Sequence, residues 1–227
     1  MNAGLFPLIA ILMVCMNINI SEITRVKVCG ITTAEDCSLV VEAGADAIGF
    51  IFYKKSARFV ETPKAREIMQ VMPPFVSSVA LFVDPQPDQV SDVIKSVQPD
   101  LLQFHGNESV EFCEQFDKKY IKAIRVHKNK DLIQLSDYYS SAKGLLLDSF
   151  VEGEKGGTGV TFDWELIPDE LPCPIILAGG LNPNNVGMAI SIVKPWAVDV
   201  SSGIEASPGV KDVNKIKAFF QGVQRCK

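Results

Sequence analysis

Only two histidines, His105 and His127, occur in the 227 residues, and none of the six cysteines stands in a CxxC pair. That scarcity removes the usual zinc-ligand spacings. Cys15, Cys29, Cys37, Cys113, Cys173 and Cys226 fit no disulfide framework, and a domain of this size does not need one. They read as free thiols in a reducing compartment. A basic excess is also missing. The formal net charge is −5 and the pI about 5.1, which argues against a nucleic-acid binder. No long block of one charge sign marks a disordered charged tail.

A membrane-spanning run is missing too. Residues 5–16, LFPLIAILMVCM, form an apolar stretch of about 12 residues, short of the ~20 that a spanning helix needs. The length suits a signal-peptide core, but no Lys or Arg precedes it and no clear small-residue cleavage site follows. A start-site artefact with Met16 as the true start, a dispensable tail, and a weak membrane or export signal all remain open. No linker or composition shift divides the rest. The expected organisation is an apolar extension over residues 1–22 and one domain over 23–227.

What the chain does have is a repeated unit. Short apolar runs begin near Arg25, Ala47, Val76, Asp100, Tyr120, Gly144, Pro174 and Trp196. They do not alternate, and turn formers bound them, as for parallel strands buried on both faces. Helical patterns fill gaps between them. Val90, Val93, Ile94 and Val97 share one face, as do Val213, Ile216, Phe220 and Val223. Thr33 is placed to cap a helix that Gly44 closes, and Asn182-Pro183 is placed to start another. Eight such strands in about 200 residues predict a single-domain α/β (β/α)8 TIM barrel. A doubly wound open sheet is the alternative, but it carries its glycines after the first strand, and here they gather late.

In such a barrel the active site lies at the C-terminal strand ends. Those ends carry Cys29, Tyr53 with Arg58 beyond it, Asp84, Gln103-Phe104-His105, Arg125 with His127, Asp148, Gly179-Gly180 and Ser201-Ser202-Gly203. The small residues of LAGGLNPNNV and VDVSSGIE stand in the loops after the seventh and eighth strands, where this fold holds phosphate. GEKGGTGVTFDW reads as a lid or as a plain loop. Cys29 and Asp148 can both reach one barrel mouth, the thiolate as a base or nucleophile and the carboxyl as an acid, yet most lone cysteines are inert packing and a strand-end aspartate is often a turn or cap residue. Arg58 is a carboxylate clamp or a solvated charge, and His105 a donor or a core histidine.

Taken in order, KVCGIT, GADAIGFIFYKKSARFV, QFHG, LLLDS with GGTGVTFDW, LAGGLNPNNV and VDVSSGIEASPGVKD are together similar to the phosphoribosylanthranilate isomerase family, from about Thr24 to Lys227. The resemblance implies a cytoplasmic, monomeric enzyme of tryptophan biosynthesis that performs an Amadori rearrangement on a small phosphorylated aminosugar. It implies no cofactor, no metal, no nucleic acid and no stable membrane association. It assigns Cys29 as general base and Asp148 as general acid. It gives Arg58 the substrate carboxylate, and the loop residues Gly179, Gly180, Ser202 and Gly203 the phosphate. His105 and Asp199 become pocket residues near the sugar or the acid. Where the family usually has leucine before the histidine of the fourth strand, this chain has Phe104, expected to repack locally.

Overall fold

The computed structural model describes residues 24–128, 130–149, 163–168 and 170–224. Eight parallel strands close into a barrel: β1 (Arg25–Cys29), β2 (Ala47–Ile51), β3 (Ser77–Phe82), β4 (Leu101–Phe104), β5 (Tyr120–Val126), β6 (Leu145–Ser149), β7 (Ile175–Leu177) and β8 (Ala197–Val200). Each pairs with the next, and β8 returns to β1 with Lys27 opposite Asp199. Helices α1 (Ala34–Glu42), α2 (Thr62–Met69), α3 (Pro87–Val97), α4 (Val110–Glu114), α5 (Leu132–Tyr138), α6 (Val186–Val193) and α7 (Val213–Gln224) follow strands around the outside. A hairpin of β9 (Glu205–Ser207) and β10 (Val210–Lys211) precedes α7. The apolar extension and most of the glycine-rich GEKGGTGVTFDW segment lie outside the described residues. Among those described, no helix is long and apolar enough to cross a membrane.

The two-residue period of a strand sorts its side chains into two cores. Val26, Val28, Ile48, Phe50, Ala80, Phe82, Leu102, Phe104, Val198 and Val200 all join the main cluster packed under the helices. Their neighbours point inward. Some of these are apolar, such as Ile121, Ala123, Leu146, Ile176 and Ala197. Others are polar and still buried: Lys27, Gln103, Asp148 and Asp199. Both faces are covered, so the strands read as largely apolar runs; some polar breaks mark the interior, while Lys122, between Ile121 and Ala123, faces the helix side and pairs with Glu108 at 3.0 Å.

Local signals explain the element ends. Thr33 accepts from the Asp36 N–H and caps α1, and Gly44 follows the helix at φ +105°, a left-handed conformation open to glycine. The expected start of α6 at Asn182-Pro183 falls early; the helix begins at Val186. The Asn185 side chain is the reason, since it turns back to accept from Asn182 N and donate to the Gly180 carbonyl. In α7 the buried face is Ile216, Phe219, Phe220 and Val223, whereas Val213 is 39% exposed at the first turn. Phe104 faces outward into an aromatic cluster with Phe82, Phe112, Phe116 and Tyr120, at centroid distances of 5.8 to 6.1 Å. Its larger ring is therefore absorbed under the helices, away from the barrel mouth.

Candidate active site

A cavity of about 470 Å³ opens at the C-terminal strand ends. Cys29, Arg58, His105, Asp148, Gly179, Gly180, Asp199 and Ser202 line it, together with Ile51, Tyr53, Leu81 and Ser201. One glance at the chain order shows how far the barrel has gathered them: β1 supplies the thiol, β6 the carboxylate, β8 a second carboxylate.

Cys29 ends β1 and is 4% exposed. Gly30 follows at φ +73°, and a side-chain carbon there would come within 2.5 Å of Arg58 Cδ. The glycine lets the strand turn under the arginine stem. Opposite Cys29 across the ladder sits Gly49, where a Cβ would lie 2.8 Å from the Cys29 sulfur and 3.2 Å from Lys27 Nζ. The missing side chain leaves the space that both groups occupy. Burial pushes the Cys29 thiol above its ordinary value; Lys27 and Lys211 pull it down, and Asp199 adds to the rise.

Asp148 is held by a chain of donors. Its Oδ1 accepts from the Ser149 N–H at 2.8 Å and its Oδ2 contacts His105 Nε2 at 3.0 Å. His105 Nδ1 in turn meets Gln103 Nε2 at 2.9 Å. An amide nitrogen only donates, so Nδ1 accepts and the neutral ring carries its proton on Nε2, aimed at Asp148. Turning the amide over would instead bury two unpaired N–H groups in place of the single unpartnered Gln103 Oε1. Gln103, behind the cavity lining, thus sets the orientation of the His105 ring.

Arg58 arrives from the loop between β2 and α2 and is already engaged. Its Nε and Nη2 donate to the two Glu205 oxygens at 2.8 and 2.7 Å. Lys211 Nζ donates to the same carboxylate at 2.9 Å, to the Cys29 carbonyl at 2.9 Å and to the Ser201 carbonyl at 3.2 Å. Glu205 therefore fixes the guanidinium at the pocket wall with two of its five N–H donors, and Lys211 stitches the end of β8 to the end of β1. Glu205 and Lys211 escaped the sequence reading because they belong to the hairpin after β8, beyond the strand ends.

Gly179 and Gly180 take φ of +83° and +67°. A Cβ on Gly179 would stand 3.0 Å from Asp148 Oδ1 and collide with the Ser149 backbone. The Gly180 carbonyl accepts from both Asn182 Nδ2 and Asn185 Nδ2, at 3.1 and 3.0 Å, so the loop is pinned from within. Gly203 sits behind the lining: a Cβ there would overlap the Leu181 carbonyl oxygen, and its absence lets the loops after β7 and β8 touch. Asp84, Arg125 and His127 do not line the cavity. Asp84 instead accepts from the Asn107 N–H and closes the loop after β4. Lys27 was also missed; a lysine inside the apolar RVKVC, two residues from Cys29 and hence on its face, was the available signal.

A closed (β/α)8 barrel with a buried thiol and a carboxylate lining one cavity at its C-terminal strand ends has the build of a barrel enzyme. Residues 26–222 match the family described as N-(5'phosphoribosyl)anthranilate (PRA) isomerase. The chain belongs to that family. It is 55% identical to the N-(5'-phosphoribosyl)anthranilate isomerase of Nitrosospira multiformis, over 88% of this chain and 96% of that protein. It is 50% identical to a Pseudomonas aeruginosa enzyme of the same name, over 88% of this chain and 95% of that one. Among solved structures, the Thermotoga maritima phosphoribosyl anthranilate isomerase superposes with a TM-score of 0.82 at 42% identity, covering 89% of this chain and all 100% of that one. A second, solved with reduced 1-(o-carboxyphenylamino)-1-deoxyribulose 5-phosphate, gives a TM-score of 0.76 at 39% identity, with coverage of 89% and 100%.

Proposed function

We propose that Cys29 is the general base and Asp148 the general acid in this chain's reaction. That reaction is the Amadori rearrangement of N-(5'-phosphoribosyl)anthranilate to 1-(2-carboxyphenylamino)-1-deoxyribulose 5-phosphate, a step of tryptophan biosynthesis. The observation that carries the assignment is their convergence on one cavity from β1 and β6. Asp148 gives a proton to the ribose ring oxygen, the ring C–O bond breaks, and an iminium forms at C1. The iminium acidifies the C2–H, whose proton passes to the Cys29 sulfur, and the resulting enolamine tautomerises to the ketone.

The donor chain to Asp148 suits this order. As Asp148 loses its proton, charge grows on the carboxylate, and the His105 Nε2–H and Ser149 N–H bonds strengthen where they help most. Arg58, held still by Glu205, is the partner for the anthranilate carboxylate. Gly179, Gly180, Ser202 and Gly203 form the phosphate cradle, through backbone approach at the first three and through loop packing at Gly203. Asp199 lies at the floor of the cavity near the sugar.

The test is fluorescence-monitored turnover of freshly generated phosphoribosylanthranilate. Wild type is expected to turn over, and a folded Cys29→Ala variant to lose about 10²–10⁴-fold in kcat, the usual worth of a positioned base. Near-full activity in that variant would move the base elsewhere in the cavity. The reading extends to a monomer, because the eight-stranded sheet closes on itself and leaves no barrel edge to pair. One solved relative is described as monomers generated from a dimeric enzyme, so sedimentation of the full chain is the check, and a dimer would overturn that part.

A further inference from the structure

Cys29 presents a difficulty as a base: it is buried, and burial favours the neutral thiol. The geometry around it contains an answer that does not touch the substrate. Lys27 lies two residues before Cys29 on the same inward face of β1, is 5% exposed, and does not line the cavity. Its Nζ donates to Asp199 Oδ1 on β8 at 2.9 Å. The same point in space, the site of the missing Gly49 side chain, is 2.8 Å from the Cys29 sulfur and 3.2 Å from this ammonium.

We propose that Lys27 is a positioning residue for the base: anchored by Asp199 and given room by Gly49, its ammonium stabilises the Cys29 thiolate from beneath. In the ionisation the S–H bond breaks and the proton leaves through the open mouth to water, and the thiolate left behind faces a fixed cation and N–H donor. The proposal rests on Cys29 being the base. Burial alone would lower the Lys27 pKa, but Asp199 and Cys29 reverse that and hold the ammonium charged. The other charged groups near the thiol are Lys211 from β10 and Arg58 from the loop after β2, with Asp199 from β8. His105 and Asp148, from β4's end and β6, act on Asp199. Lys211 is committed to Glu205 and two carbonyls and Arg58 to Glu205. Among the described residues, Lys27 is shared between Asp199 and the thiol.

The experiment measures the pH dependence of Cys29 alkylation by iodoacetamide, read at that cysteine by peptide mass spectrometry, beside the pH profile of kcat. Lys27→Met removes the charge and keeps most of the length; Lys27→Gln keeps a donor for Asp199 and serves if the first variant does not fold. Either is expected to move the alkylation midpoint up by about 1–3 pH units and to lower kcat by at least tenfold, with KM nearly unchanged. Lys27→Arg, which keeps the charge, is expected to leave the midpoint near the wild-type value. A folded Lys27→Met or Lys27→Gln protein with an unmoved midpoint overturns the proposal. Because alkylation reads ionisation and not turnover, that failure is distinct from an active Cys29→Ala, which would overturn the base assignment instead.

Discussion

Asp148→Asn is expected to lower kcat by about 10²–10⁴-fold while the barrel stays folded. The substitution keeps the shape, and the new Oδ1 can still accept from the Ser149 N–H, the bond that now measures 2.8 Å. What it removes is the transferable proton, and without it the ribose ring oxygen must leave unassisted. It also disturbs the donor chain. Gln103 donates to His105 Nδ1, so the ring offers its Nε2–H outward, and an asparagine Nδ2 in that direction would set donor against donor. The measurement is steady-state turnover with a thermal melt as the folding control. A folded variant within tenfold of wild-type kcat would show that the acid is elsewhere.

Glu205→Ala is expected to cost stability, because it takes a buried carboxylate out of the hairpin after β8. The carboxylate is 6% exposed and accepts from Arg58 twice and from Lys211 once. Removing one partner of a buried pair leaves the other charge uncompensated, a loss of about 3–5 kcal/mol. For a domain of this size that lowers Tm by on the order of 10 °C. Burial alone would raise the Glu205 pKa, but the bonds from Arg58 and Lys211 outweigh it and hold the carboxyl below its ordinary range. A depressed folded pKa stabilises at pH values above the unfolded carboxylate pKa and stops doing so as pH falls through the folded one. The wild-type advantage is therefore expected at neutral pH and to shrink in acid. Calorimetry at two pH values tests both parts; equal Tm at pH 7 would contradict the cluster's role. KM should rise as well, since Arg58 loses the group that fixes it.

Much of this was legible in the chain because barrel strands announce themselves twice, as unbroken apolar runs and by even spacing. The strand-end rule then placed Cys29, His105, Asp148 and the Gly179-Gly180 turn in one mouth. It failed where function sits off the strand tips. Glu205 and Lys211 act from a hairpin whose fold depends on tertiary contacts, and Lys27 hides below the tip, visible only as a charge inside an apolar run. The α6 start was misplaced because an Asn-Pro pair suits a turn as well as a helix entry, and side-chain bonds from Asn185 decided between them.

The seam between β8 and β1 has a consequence for how the molecule comes into being. Lys27 and Asp199 are 172 residues apart, and Lys211 reaches the Cys29 carbonyl across 182. Synthesis proceeds from the amino end, so the thiol emerges among the first residues of the barrel, and the charges that surround it emerge among the last. Until β8 and the hairpin arrive, Lys27 is an unpaired cation on a strand with an open edge, and nothing ties off the end of β1. The surroundings of Cys29 are thus complete only when the last strand and the hairpin are in place, and the closing of the barrel and the completion of the cavity are one event.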